Sequence, residues 1–149
     1  MAEALCRNST MVSLNLECNK IGVSGAEALA SYLISQSNKG IPSLRSLRLS
    51  YNCIGNEGAI SLADAISRST TLLDLSLKNN QIGVTGLVAI GNSLFQNNTL
   101  EAISLFGNNF DSESSKLFYE LITQRVPYIG LILDVSCYEV DGTFMVAEA

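Results

Sequence analysis

The chain contains no histidine. Without imidazole the common nucleophile–base pairs are unavailable, and a zinc site would need Cys6, Cys18, Cys53 and Cys137 to converge from distant segments with no CxxC pair among them. Reduced, structural thiols are therefore expected. Basic clusters are also missing. Nine lysines and arginines against fourteen acidic residues leave a net charge of -5, so the field that draws a protein onto phosphate backbones is absent and nucleic acid is not an expected partner. No stretch reaches the ~20 apolar residues needed to span a bilayer, and Met1 to Thr10 lacks the basic start and apolar run of a secretory signal. Together these absences predict a cytoplasmic protein without membrane insertion. No Walker-type loop occurs and the carboxylates show no facing pair, so no cofactor, no catalytic residue and no enzymatic activity are expected.

What the chain does have is apolar residues, 47% of its 149, and self-similarity. Met11 to Gly22 (MVSLNLECNKIG), Leu44 to Gly55 (LRSLRLSYNCIG), Leu72 to Gly83 (LLDLSLKNNQIG) and Leu100 to Asp111 (LEAISLFGNNFD) fall into one register, LxxLxLxxNxIG. Their asparagines, Asn19, Asn52, Asn80 and Asn108, are 33, 28 and 28 residues apart. Downstream, a glycine follows six residues after the first three asparagines (Gly25, Gly58, Gly86) and apolar residues follow at ten and fourteen (Leu29 and Leu33, Leu62 and Ile66, Ile90 and Leu94). The five extra residues of the first interval are thus placed after the first helix, around Ser37 to Ser43.

Within each repeat the apolar period changes once, from the alternation of a half-buried strand to the spacing of a helix. Each repeat is one coil of strand, turn and helix that cannot bury its apolar face alone, so neighbours must stack. Ser24 with Glu27 is expected to form a capping box at the first helix start, with Asn56 and Thr85 in comparable roles. Gly25, Gly58 and Gly86 are expected where each helix approaches its strand or neighbour. The four asparagines are given a structural role, bonding backbone groups that the turn after each strand leaves unpaired. Ile21, Ile54, Ile82 and Phe110 follow them as core plugs.

Both ends depart from the repeat. Twenty-eight residues beyond Asn108 the register reaches Ser136, with Tyr128, Leu131 and Leu133 in the places of Leu100, Ile103 and Leu105. That predicts a degenerate fifth strand, and Val140-Asp141-Gly142-Thr143 predicts a type I′ hairpin turn. The last helix, about Ser112 to Thr123, has Asp111 and Ser114 where earlier repeats carry glycine. Backwards, Leu5 aligns with Leu33, and Asn8-Ser9-Thr10 aligns with Ser69-Thr70-Thr71 and Asn97-Asn98-Thr99. The two NxT triplets match glycosylation sequons and are read as helix-to-strand turns. The expected organisation is the end of a truncated upstream repeat at 1–10, four repeats at 11–127, and a fifth strand with a hairpin cap at 128–149. The strand near Val12 to Leu16 is then an edge that upstream repeats or another chain would cover.

This pattern resembles the ribonuclease-inhibitor-like subfamily of leucine-rich-repeat proteins, from about Leu5 to Ser136. The resemblance implies an α/β solenoid, a horseshoe with parallel strands on its concave face, helices outside and, here, a C-terminal hairpin cap. SLFGNNFD and the VDG turn are similar to the end of a longer subfamily member of ciliated and germ-line cells, which implies a place in a cilium or flagellum. Few cysteines and no tryptophan set the chain apart from the ribonuclease inhibitor itself.

Side chains between the strand leucines face the concave side and form rows: Ser13, Ser46, Asp74, Ala102; Asn15, Arg48, Ser76, Ser104, Ile132; and Glu17, Ser50, Lys78, Phe106, Asp134. A further position carries Cys18, Tyr51, Asn79 and Gly107. An exposed aromatic beside arginine is the usual make-up of an interaction hot spot. Arg48, Tyr51, Lys78 and Phe106, with Glu17 and Asp74, are accordingly the candidate protein-binding residues, although Glu17, Arg48 and Lys78 also suit cross-strand ion pairs. The expected function is a non-catalytic scaffold for a protein partner, as in a ciliary axoneme. The alternative is a GTPase-activating or ribonuclease-inhibitor-like regulatory binder, for which Arg48 is the one arginine in these rows.

Overall fold

Where leucines alternate the backbone is extended, and where their spacing widens it coils. The element order is β1 (Ser13–Asn15), α1 (Val23–Lys39), β2 (Ser46–Arg48), α2 (Gly55–Arg68), β3 (Asp74–Ser76), α3 (Val84–Gln96), β4 (Ala102–Ser104), α4 (Ser112–Gln124), β5 (Ile132–Leu133), β6 (Val135–Val140) and β7 (Thr143–Glu148). This computed structural model describes residues 8, 10–39, 44–124, 126 and 130–149. Leu5, Cys6 and Tyr128, and most of the expected upstream remnant at 1–10, lie outside them.

Strands β1 to β5 form one parallel sheet in sequence order, and β6 and β7 form a separate antiparallel hairpin. The leucines between the concave rows enter a continuous layer between sheet and helices. Leu47, Leu75, Leu49 and Leu77 from the strands meet Leu62, Ile66, Ile90 and Leu94 from the helices, all essentially inaccessible. Each such side chain contributes ~1.5–3 kcal/mol. Ile54 and Ile82 are fully buried plugs, while Phe110 is half-buried and meets Phe118 edge-on with ring centroids 5.3 Å apart. In the first repeat Met11, Leu14, Leu16 and Ile21 are only partly covered.

Neighbouring helices approach through a glycine–alanine stagger. A Cβ on Gly58 would lie 2.9 Å from Ala26 Cβ, and one on Gly86 would lie 2.9 Å from Ala59 Cβ.

The helix starts differ from expectation. Helix α1 already begins at Val23, so Ser24 lies inside its first turn, and among the described residues no hydrogen bond of the expected Ser24–Glu27 capping box is present. Asn56 and Thr85 likewise sit within α2 and α3. Asn56 instead reaches into the next repeat, where its Oδ1 accepts the N–H groups of Gly83 (2.7 Å) and Gly86 (3.2 Å) at the start of α3. A capping box does form at α4. Asp111 Oδ1 accepts the Ser114 N–H at 2.9 Å, and Ser114 Oγ accepts the Asp111 N–H at 2.9 Å. The insertion also departs from its expected place after the helix: α1 has 17 residues against 14 in α2, so part of the extra length is wound onto α1. Residues 40–43 lie outside the described set.

The fifth strand is displaced. Ile132 pairs with Ala102 and Leu133 with Ile103, two residues away from the expected alignment of Leu131 with Ile103. A two-residue slip leaves the same side chains on the core face, which is why the leucine pattern does not reveal it. Ile132 therefore joins the row of Ser13, Ser46, Asp74 and Ala102 rather than that of Ser104. The hairpin turn is as expected, with Asp141 at φ 50° and Gly142 at φ 78°, the left-handed pair of a type I′ turn. Its inner face packs on α4, where Tyr119 and Phe144 rings lie 5.3 Å apart.

Candidate protein-binding surface

The parallel register lines up the concave rows: Ser13, Ser46, Asp74, Ala102 and Ile132, then Asn15, Arg48, Ser76 and Ser104. Most polar side chains here are engaged with one another. Ser46 Oγ donates to Asp74 Oδ2 at 2.8 Å, Arg48 Nε meets Glu17 Oε1 at 3.2 Å, and the buried Ser50 and Ser76 hydroxyls share a hydrogen bond. Lys78 Nζ sits between Asp134 Oδ2 (3.1 Å) and Glu148 Oε1 (3.4 Å), and the hydrogen bond to Asp134 holds its pKa above the usual lysine value.

The six candidate contacts consequently divide. Glu17 and Asp74 are partners of Arg48 and Ser46, and Lys78 is latched to the chain's own C-terminal segment. Phe106 is half-buried, and its N–H, with that of Leu105, donates to the Asp134 carboxylate. In earlier repeats the amide equivalent to that of Leu105 donates to the following strand, Leu49 to Ser76 O and Leu77 to Ser104 O. Asp134 thus ends the sheet with a side chain where a strand would otherwise continue. Arg48, although paired with Glu17, and Tyr51 remain the most accessible of the six, with the Arg48 side chain 52% accessible and Tyr51 58%.

Beside these rows runs the asparagine ladder. Asn52 Nδ2 donates to Leu16 O (3.0 Å) and Leu49 O (2.8 Å), and its Oδ1 accepts the Asn19 (3.0 Å) and Ile21 (2.8 Å) amides. Asn108 repeats this two junctions on, donating to Leu77 O and Leu105 O and accepting from Asn80 (3.0 Å) and Ile82 (3.1 Å). Asn80 donates to Leu49 O (2.9 Å) and Leu77 O (3.0 Å), but its buried Oδ1 has no partner. Asn19 Nδ2 donates to Glu17 O at 2.7 Å. The cause at Asn80 lies in the preceding turn. Cys18, Tyr51 and Asn79 just before the ladder asparagines are all left-handed, but of the residues that follow, Lys20 and Gln81 adopt φ of 55° and 58° at the first position after the asparagine, whereas in the second repeat it is Gly55, three after, at φ 63°. The Cys53 N–H there goes to Ile21 O and that of Gly55 to Asn80 O, so neither Asn52 nor Ile54 reaches Asn80 Oδ1.

A second polar series lies at the other end of the coils, at three positions among the described residues. Asn8 Oδ1, Ser69 Oγ and Asn97 Oδ1 each accept the amides two and three residues on, and Asn97-Asn98-Thr99 lies between α3 and β4 as the helix-to-strand turn reading expects, while residues 1–7 and 9 beside Asn8 lie outside the described set. Asn97 Nδ2 also donates across to Ile66 O at 2.7 Å and Ser69 O at 3.1 Å. This cross-repeat bond was not anticipated from the sequence, and its signal was the alignment of Asn97 with Ser69.

Cys18 and Cys53 are free and exposed, so they support no core as the sequence reading expected, and no disulfide joins them. Burial pushes the half-buried Cys137 thiol up to about 11. Among the described residues no three metal-ligating side chains cluster, and no helix is long and apolar enough to cross a membrane.

Three segments, residues 7–30, 40–63 and 68–91, match the family model described as Leucine Rich repeat, each running through a strand and its turn into the following helix. No curated protein matches the chain. Among solved structures it is similar to Leiomodin-1 Actin-Binding Site 2 (ABS2), with 18% identity and a TM-score of 0.74 over 95% of this chain and 79% of that one. At that identity the likeness concerns the fold. Sheet, register and matched segments together show an α/β leucine-rich-repeat fold, parallel strands alternating with helices, with an antiparallel hairpin at the C-terminal end.

Proposed function

We propose that the chain is a non-catalytic interaction scaffold that binds a protein partner on its concave sheet through Arg48 and Tyr51. The observation that carries this reading is the contrast on that surface. Glu17, Asp74 and Lys78 are drawn into pairs within the chain, while Arg48, although its Nε meets Glu17, stays largely accessible and Tyr51 stands exposed just beyond the same strand. Such residues dominate interface energetics because they combine apolar area with directional hydrogen bonding. The resemblance to ribonuclease-inhibitor-like repeats supports a regulatory or structural binder in the cytoplasm, and similarity to a ciliary and germ-line member supports a place in a cilium or flagellum. The name of the structural neighbour adds actin as a partner to try.

Cross-linking of the protein in its native cell, followed by mapping of the linked residues, tests this reading. Links should fall on β2 and its turn, and Tyr51→Ala should weaken the captured partner by about 2 kcal/mol or more. Partner links confined to the helices, or unchanged affinity in both Tyr51→Ala and Arg48→Ala, would reject it. Stimulation of a GTPase that is lost in Arg48→Ala would favour the regulatory alternative.

A further inference from the structure

We propose that the C-terminal hairpin is a second docking surface, which takes an extended segment of a partner protein with alternating basic and apolar residues. The argument begins with the ladder. Val140 and Thr143 close a two-residue turn, and hydrogen-bonded pairs then alternate, so the backbone groups of Cys137 and Glu139 on β6 face away from β7. On β7 the outward Phe144 N–H is taken by Ser112 Oγ at 3.2 Å. No hydrogen bond occupies the outward backbone groups of Cys137 or Glu139 among the described residues. The edge of β6 is therefore open to another strand.

Side chains add a preference. Tyr138 and Met145 lie directly opposite on the face turned from α4, with Val140 beside them, and they are 41%, 46% and 48% accessible. From Val126 to Ala149 there is no lysine or arginine, while Asp134, Glu139, Asp141 and Glu148 are acidic. Lys78 engages Asp134 and Glu148, which leaves exposed Glu139 and Asp141 at the hairpin tip. A second copy adding to this edge would bring those carboxylates against their own kind. A basic strand would pair with them while its alternate apolar side chains cover Tyr138, Val140 and Met145. This surface is separate from Arg48 and Tyr51, so either reading can fail alone.

The probes are two labelled short peptides, one alternating lysine with valine and the other glutamate with valine, titrated into the full chain at low salt. The lysine peptide should bind at least about tenfold more tightly than the glutamate peptide and slow hydrogen exchange at the Cys137 and Glu139 amides. Glu139→Gln should weaken it by about two- to fivefold. Glu139→Pro leaves the β6–β7 ladder intact because that N–H points outward, yet it should weaken binding at least about tenfold more than Glu139→Gln. Tyr138→Lys, on the solvent face, should also weaken binding at least about tenfold, and Arg48→Glu should leave it unchanged. Equal binding by Glu139→Pro and Glu139→Gln, protection of β1 to β4 instead of β6, sensitivity to Arg48→Glu, or no binding of the lysine peptide would each overturn the proposal.

Discussion

The junctions between the first and second repeats and between the third and fourth are closed by an asparagine that both donates and accepts. The junction between the second and third is closed by one that only donates. The three asparagines are indistinguishable in the repeat pattern. Their difference is set by the preceding turn, where Lys20 and Gln81 take the left-handed conformation but Cys53 leaves it to Gly55. The middle junction is not simply weaker, because Asn56 there caps the next helix. Bonding has moved from the strand side of the coil to the helix start.

The largest effect that would sharpen this contrast is a charge on the ladder. Asn80→Asp puts a carboxylate where the buried oxygen has no donor, and should cost about 3–5 kcal/mol. Asn52→Asp loses the same kind of Nδ2 donations but keeps the Asn19 and Ile21 amides, so it should cost clearly less in urea unfolding at neutral pH. Equal midpoints would dissolve the distinction. Next, Gly55→Ala forces a side chain into the left-handed region and should destabilise by about 1–2 kcal/mol. In the wild type, the Asn52 and Ile54 amides should exchange faster than those of Asn80 and Ile82. Asn56→Ala should then cost about 1 kcal/mol, with faster exchange at Gly83 and Gly86 in the following repeat rather than in α2 itself. Smallest is the C-terminal latch, where Lys78→Met should cost under about 1 kcal/mol because both pairs are partly exposed. The folded pKa of Lys78 is raised, so its contribution is complete below the ordinary lysine value and disappears as pH rises through the folded value. Lys78→Met should accordingly flatten the alkaline limb of the stability profile above about pH 10.5. An unaltered limb would remove the latch from the account.

The fold was legible because leucine spacing reports two backbone periods directly: the strands, the helix order and the sheet register through β4 follow from it, and the Asp141-Gly142 turn follows from its residue types. Three of the features that escaped show why. The two-residue displacement of β5 keeps every leucine on its face, so no apolar pattern marks it. The switch of left-handed residue in the second repeat depends on competing backbone bonds within one turn. The Asn56 cap is invisible because residues near a helix start were matched to their own helix, while stacking makes the next helix equally near. Arg48 and Tyr51 were readable as concave candidates, but the engagement of Lys78 required knowing where Asp134 and Glu148 return.

The glycine–alanine stagger on the outer side carries a geometric consequence. Hydrogen bonding fixes neighbouring strands at ~4.8 Å, while packed helices ordinarily stand ~8–10 Å apart. The mismatch between those spacings sets the angle through which each repeat turns relative to the last, and thus the radius of the surface offered to a partner. Gly58 against Ala26 and Gly86 against Ala59 bring the helices toward the lower end of that range and so flatten the curve. Residues on the outer side, which a concave ligand never touches, therefore help decide how broad a ligand the sheet can accept.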